Sequence, residues 1–260
     1  MDFRKIFDTI PEEFDKWRPR YCDELFVDLI EYAKLDSTKT ALEIGPGTGQ
    51  ATEPILKTGC SYLAIELGEN FAEFMKNKFK HYDNFQLVND DFETYDFGEN
   101  KFDLVYSAAA FQWIKEDIGY PKVYDMLKSG GVFATFGTAP GRRDPVLDDK
   151  IEKVYADTEL WKPEFDYANY IKTRNSADDL DRIGKLKKYG FADAECRHYS
   201  NTREFNTEDY ISYIQTSSPQ LSLKEPYKSK FYAAVREIII NAGDSITLND
   251  DIILYLARKP

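Results

Sequence analysis

The segment Ala41-Leu42-Glu43-Ile44-Gly45-Pro46-Gly47-Thr48-Gly49-Gln50 concentrates the residue types best suited to holding a ligand. It follows a short apolar run and opens a stretch with helical pattern, in which Pro54 suits an early turn. Lacking Cβ atoms, Gly45, Gly47 and Gly49 can take positive φ and let the backbone approach a ligand closely. Amides exposed at a helix start favour polar or anionic groups. The spacing departs from the dinucleotide fingerprint, which needs glycine where Gln50 stands. Glu66 ends the next apolar run, 21 positions after Gly45. A carboxylate there can accept from both hydroxyls of a ribose. The pattern favours a nucleoside without a pyrophosphate over NAD.

The elements that must carry this loop are legible as runs. Thr40–Ile44, Tyr62–Ile65, Phe85–Val88, Phe102–Ser107 and Gly131–Phe136 recur every 20 to 30 residues or so, and predict strands. Amphipathic stretches lie between them, such as the face formed by Phe71, Phe74, Met75 and Phe79. Alternation of this kind implies βαβ units and a parallel sheet, whose ligands sit at the carboxyl ends of the strands. A leading helical segment is predicted over residues 10–34, most clearly Tyr21–Ala33. Gly141–Pro145 reads as a hinge, followed by helices at Val146–Glu159 and Ala177–Tyr189. A strand over residues 192–205 precedes helices at Thr207–Gln215 and Lys224–Asn241, and Ile252–Ala257 reads as a final strand. The expected organisation is a helical cover (1–35), a ligand-binding core (36–140), a helical cap insertion (141–190) and a C-terminal part (191–260) that completes the sheet.

Composition narrows the partners. The 260 residues carry 34 Lys and Arg against 46 Asp and Glu, a net charge of −12, which argues against nucleic acid and anionic membranes. No signal-peptide pattern stands at the amino terminus, and no charge-free apolar run is long enough to span a bilayer. Cys22, Cys60 and Cys196 are widely spaced without CxxC pairs, and only His81 and His198 occur. The cysteines read as reduced cytoplasmic thiols, and no metal site is expected. The aromatic content is high, at 18 Phe, 18 Tyr and 3 Trp, more than a globular core requires.

The ordered motifs resemble those of class I S-adenosylmethionine-dependent methyltransferases. Glu43–Gly49 resembles that family's first motif, Ile65-Glu66-Leu67 its ribose-binding strand end, and Asn89–Glu93 the loop that approaches the adenine. Phe102–Ser107 resembles the fourth motif, and Leu127–Val132 the turn before strand five. Together these cover residues 36–137. Phe14-Asp15-Lys16-Trp17-Arg18-Pro19 and Ala110-Phe111-Gln112-Trp113-Ile114 further resemble the small-molecule group known as type 11, which often carries His where Gln112 stands. The resemblance implies a seven-stranded, mostly parallel, Rossmann-like α/β sheet and S-adenosyl-L-methionine as cofactor, released as S-adenosyl-L-homocysteine. It further implies cofactor contacts at Glu43, Gly45, Pro46, Gly47, Gly49 and Gln50, and at Glu66, Leu67, Asp91, Phe92 and Ser107. Trp17 and Arg18 would close over the cofactor, Arg18 being able to pair with a carboxylate.

Phe111, Gln112, Trp113 and Arg142 are candidates for the acceptor pocket, although Phe111 and Trp113 suit a core equally well. No catalytic base is identified, since neither histidine falls in a matched motif. An acceptor that is a carboxylate, a thiolate or an already nucleophilic atom would need none. A small molecule is the expected acceptor, and a monomer or homodimer the expected state. Two rival readings stand beside this one. The first is a module that binds the nucleoside without turnover, motivated by Ala109 and Gln112; the second is an NAD-type oxidoreductase, weakened by Gln50.

Overall fold

β-branched and aromatic runs fall into one sheet, and amphipathic segments cover both of its faces. The computed structural model describes residues 2–164 and 179–260, with the backbone alone for residues 140–142. Strands β1 (Thr40–Ile44), β2 (Ser61–Glu66), β3 (Phe85–Asn89), β4 (Phe102–Ala108), β5 (Leu127–Arg142), β6 (Ala192–Phe205) and β7 (Ile246–Arg258) lie in the order β3-β2-β1-β4-β5-β7-β6. β1 to β5 pair in parallel, whereas β7 runs antiparallel to both β5 and β6. This is the seven-stranded, mostly parallel arrangement expected from the sequence.

The chain enters through a 3-10 helix (Phe3–Thr9), α1 (Pro11–Trp17) and α2 (Asp23–Ala33). Next come α3 (Thr52–Leu56), α4 (Glu69–Phe79) and, after a short 3-10 turn (Phe111–Trp113), α5 (Glu116–Met126). The later helices are α6 (Pro145–Ala156), α7 (Asp179–Lys188), α8 (Thr207–Ile214), α9 (Ser218–Leu221) and α10 (Tyr227–Asn241). The start of the expected helix at Ala177–Tyr189 lies outside the described residues.

Both faces of the central strands are buried, so these strands read as continuous apolar runs. Leu42, Ile44 and Val105 pack toward Phe111, Tyr120 and Val123 on one face. Ala41, Ala64, Leu104 and Tyr106 face Leu25, Leu29, Ile55 and Met75 on the other. Leu25 and Leu29 have no exposed surface, and truncating either to Ala should cost about 2–5 kcal/mol. A third cluster joins Leu147 and Ile151 of α6, Ile211 of α8, Phe231 and Val235 of α10, and Ile246 and Leu248 of β7.

The stretch expected to be a hinge is partly strand. β5 keeps its pairing with β7 to Arg142, opposite Asn249, after a register shift beyond Ala139. The turn is thereby confined to Arg143 and Asp144. Asp144 caps α6 by accepting from the amides of Val146 (3.0 Å) and Leu147 (3.2 Å), and Pro145 takes the first helical position.

Candidate active site

Strand order reverses direction between β2-β1 and β4-β5, so the loops after β1 and β4 leave the sheet on opposite sides and open a crevice between them. The two loops meet closely there. A Cβ on Gly45 would lie 2.6 Å from that of Ala110. Gly45, Gly47 and Gly49 all take positive φ (64°, 59° and 84°). A side chain at Gly49 would stand 2.5 Å from the Phe79 ring and 2.8 Å from the Met75 sulfur, so this glycine seats the loop on α4. Lys78 of α4 fixes the same loop from below, donating to the Thr48 carbonyl (2.9 Å) and to Asp15 of α1 (2.7 Å).

A cavity of about 240 Å³ fills the crevice. Glu66 lies on its wall at the end of β2. Its carboxylate accepts from the amides of Gly47 (2.9 Å) and Gly68 (2.9 Å), leaving acceptor capacity on both oxygens. Burial pushes its pKa up to about 7, against the pull of those amides. Asp91, in the loop after β3, receives both guanidinium nitrogens of Arg4, at 2.8 and 3.2 Å, and the Glu93 amide at 2.9 Å. Burial raises Asp91, but Arg4 and the amide outweigh it and hold the carboxyl below its ordinary value. Arg18 also lines the cavity, with its guanidinium 5.3 Å from the Phe14 ring centroid. It forms no ion pair with a carboxylate among the described residues.

Of the residues singled out from sequence, Gly45, Pro46, Gly47 and Gln50 line the cavity, as do Glu66, Leu67, Asp91 and Phe92. Arg18, Gln112 and Trp113 join them from the cover and from the turn after β4. Others are placed elsewhere. Glu43 is fully buried on the α3 side of the sheet, accepting from Thr52 Oγ1 (2.5 Å) and the Tyr62 hydroxyl. Tyr62 in turn shares a 2.6 Å hydrogen bond with Tyr106. Burial raises the Glu43 carboxyl, with Thr52, Tyr62 and Tyr106 opposing. Ser107 donates to the Ile44 carbonyl (2.8 Å), tying β4 to β1. Phe111 packs in the core against Tyr120 and Phe133. Trp17 sits beside Lys16, whose ammonium is 4.5 Å from its ring centroid. The side chain of Arg142 lies outside the described residues.

The 3-10 helix Phe3–Thr9 falls within the helical cover expected over residues 1–35, but the sequence reading assigned it no contact with the cavity. Arg4 and Phe7 line it, and Asp8 anchors it by accepting from the amides of Phe71 (2.8 Å) and Asn70 (3.3 Å) at the start of α4. Phe14, Tyr21 and Phe71 add an aromatic wall. Phe7 stacks edge-on to Trp113 at 6.2 Å and lies 5.4 Å from Phe14, which is 5.0 Å from Phe71. Thr138 closes the β5 side. Phe14 and Phe71 stood in an assigned segment and on an assigned helix face, so their types gave a signal. Arg4 gave none, because its partner is 87 residues away. Neither histidine reaches the cavity wall.

A reversed strand order, one antiparallel strand, a glycine loop after β1 and an acid ending β2 define the class I S-adenosylmethionine-dependent methyltransferase fold, whose cofactor is S-adenosyl-L-methionine. Residues 42–135 match the family model of the methyltransferase domain, and the chain carries such a domain. The malonyl-[acyl-carrier protein] O-methyltransferase 2 of Ilyobacter polytropus is 27% identical over 229 residues, 84% of this chain and 82% of that protein. The ribosomal RNA small subunit methyltransferase A of Dehalococcoides mccartyi is 38% identical over 63 residues, 24% of this chain and 22% of its own length. The Haemonchus contortus phosphoethanolamine N-methyltransferase 2, solved with S-adenosyl-L-methionine, superposes with a TM-score of 0.60 at 17% identity. That superposition covers 100% of this chain and 60% of the nematode chain, and it speaks for the fold alone.

Proposed function

We propose that this protein transfers a methyl group from S-adenosyl-L-methionine to a small-molecule acceptor. The observation that carries the reading is one cavity shared by three groups with distinct tasks: Glu66 with free acceptor capacity, Asp91, and the unpaired cation Arg18. They fit the cofactor. Glu66 would take the ribose hydroxyls and Asp91 the adenine amino group. Arg18 would take the methionine carboxylate in a charge-assisted pair. The glycine loop lies against the cofactor where side chains would block it. When bound, the cofactor supplies an electrophilic methyl group on a sulfonium.

The protein's part is alignment and exclusion of water, and holding reactants in line contributes several kcal/mol. The ring wall of Phe7, Phe14 and Trp113 suits a centre that loses positive charge, and aromatic faces attract the cation beforehand. No histidine lines the cavity, and burial holds the Tyr21 phenol above its ordinary value. An acceptor that needs no side-chain base fits this wall: a carboxylate, a thiolate or an already nucleophilic atom. The Ilyobacter relative's name, a malonyl O-methyltransferase, supports a carboxylate as the first class to test. The likeness to the ribosomal RNA enzyme is confined to a short stretch, and a net charge of −12 supports a partner other than RNA.

In this reading α6, α8 and α10, which share one core with the near end of β7, form the cap over the acceptor end. That gives a cap broader than residues 141–190. Among the described residues no helix is long and apolar enough to cross a membrane. Three widely spaced cysteines without CxxC pairs support a cytoplasmic protein, which we take as a monomer or homodimer.

Calorimetry with S-adenosyl-L-methionine, S-adenosyl-L-homocysteine and NAD tests the cofactor, and a turnover screen over small acids and thiols tests the reaction. Binding of NAD alone overturns the reading. Binding of the sulfonium without transfer to any acceptor favours a non-catalytic module. Arg18→Ala should weaken S-adenosyl-L-methionine by about 1.5–3 kcal/mol and leave adenosine unaffected.

A further inference from the structure

The outer edge of the sheet carries a second cluster of reactive side chains, remote from the cavity. Cys196 and His198 alternate on β6, so both project to one face, and Asp179 starts the helix α7 that packs on that face. The Cys196 sulfur lies 3.4 Å from His198 Nε2, and Nε2 lies 2.9 Å from Asp179 Oδ2. Among the described residues this is the one group of three such side chains whose ligand atoms all fall within 4.8 Å of one another. Tyr255, opposite Cys196 on β7, donates to the other Asp179 oxygen and orients the carboxylate.

From these contacts we propose that Asp179, Cys196 and His198 form a binding site for a divalent transition metal of the zinc type, with one position left to solvent. A single ring nitrogen faces both neighbours. As a donor to Asp179 it offers no lone pair to the Cys196 thiol; as an acceptor it can take the thiol proton while Asp179 keeps the Tyr255 hydroxyl. The three groups converge, so the Nε2 lone pair, the thiolate and the carboxylate can all point at one metal ion. Tetrahedral zinc, with bonds of about 2.3 Å to sulfur and about 2.0–2.1 Å to nitrogen and oxygen, sets its ligand atoms roughly 3.3–3.6 Å apart. The observed 3.4 Å fits, and 2.9 Å is a few tenths short. Sulfur, imidazole and carboxylate as donors select zinc or cobalt over calcium or magnesium. Burial and the Asp179 carboxylate push the free Cys196 thiol up to about 11, so binding must displace its proton. The C-x-H spacing on a strand is the sequence signal, one that a search for CxxC pairs passes over. None of these residues lines the cofactor cavity, so the site stands or falls apart from methyl transfer.

Titration of the metal-free protein with Co2+ tests it, followed through the thiolate-to-cobalt charge-transfer band and reversed by Zn2+. One equivalent should give the band; Cys196→Ser should abolish it, and His198→Ala should weaken binding at least tenfold. Tyr255→Phe, which loses the group orienting Asp179, should weaken binding by about 10–100-fold. Zn2+ should raise the Tm of the wild type and leave that of Cys196→Ser unchanged, with S-adenosyl-L-methionine affinity as the check that each variant is folded. The proposal is overturned by absence of the band, or by a band that persists in Cys196→Ser and so belongs to Cys22 or Cys60.

Discussion

The wall of the crevice and the cluster formed by α6, α8 and α10 are built by different means. At the cofactor end, carboxylates are fixed by the backbone: Glu66 by the Gly47 and Gly68 amides, Asp8 by those of Asn70 and Phe71, and Asp91 in part by that of Glu93. Around the cluster of α6, α8 and α10, charged groups are held by other side chains. Arg203 meets Asp250 at 2.5 Å and stacks 4.4 Å from the Tyr213 ring, while Arg143 reaches Asp148, Glu152 and the Tyr210 hydroxyl. Buried polar atoms without a hydrogen-bond partner gather there too, on Arg203, Asp250, Thr207 and Tyr232; Glu43 is the one such case near the glycine loop. Backbone-held groups recur wherever the same loops recur. Side-chain networks of this kind belong to one sequence.

The largest effect should come from the charged groups around that cluster. Removing one partner of a buried ion pair strands the other, so Asp250→Ala should lower unfolding stability by about 3–5 kcal/mol. Arg203→Met combined with Asp250→Leu should recover most of that loss in a urea titration; a double variant as unstable as the single would show that the pair is not the cause. At the cofactor end, Gly49→Ala combines left-handed strain with a clash on Phe79, and should cost about 2–5 kcal/mol in the same assay.

Glu66→Ala should weaken S-adenosyl-L-methionine by about 1–3 kcal/mol, as calorimetry would show; unchanged affinity removes Glu66 from the site. The wild type adds a pH test. Glu66 sits near 7 against an ordinary 4.5, so its contribution to the free fold is full below 4.5 and is lost as pH rises through about 7. The ionised form is the one that accepts two ribose hydroxyls. Cofactor affinity should therefore rise between pH 6 and pH 8, and the wild type should lose this slope in Glu66→Gln. The smallest effect belongs to Arg4→Ala. Its pair with Asp91 is a quarter exposed on each side and should change stability by less than about 1 kcal/mol.

These contrasts explain what could be read from the chain in advance. The strands at 40–44 and 192–205 were legible to the residue, because apolar runs and alternation are local properties. Gly45, Gly47 and Glu66 were legible because chain geometry fixes the spacing of a loop and the next strand end. Glu43 stands apart from the cavity lining for a physical reason. It shares the motif with the glycines, yet the pleat turns its side chain under α3, away from the cavity. Arg4, Asp8 and the Arg203–Asp250 pair were invisible, since each acts on a residue 47 to 87 positions away. The third core cluster escaped for the same cause: it joins segments on either side of β6.

One feature of the sheet also governs how the molecule is assembled. β7 lies between β5 and β6, so among the described residues β6 finds its only strand neighbour in one that follows it by some forty residues. On the ribosome β6 would emerge before its partner, with one edge unpaired, while β1 to β5 could already associate through parallel crossovers. Closing that gap requires long-range pairing, which is slow because loop entropy is lost before the contacts form. Removing residues 246–258 would therefore do more than trim an edge strand: it would detach β6 from the sheet, take Ile246 and Leu248 from the third core cluster, and leave β5 open to pairing with other chains.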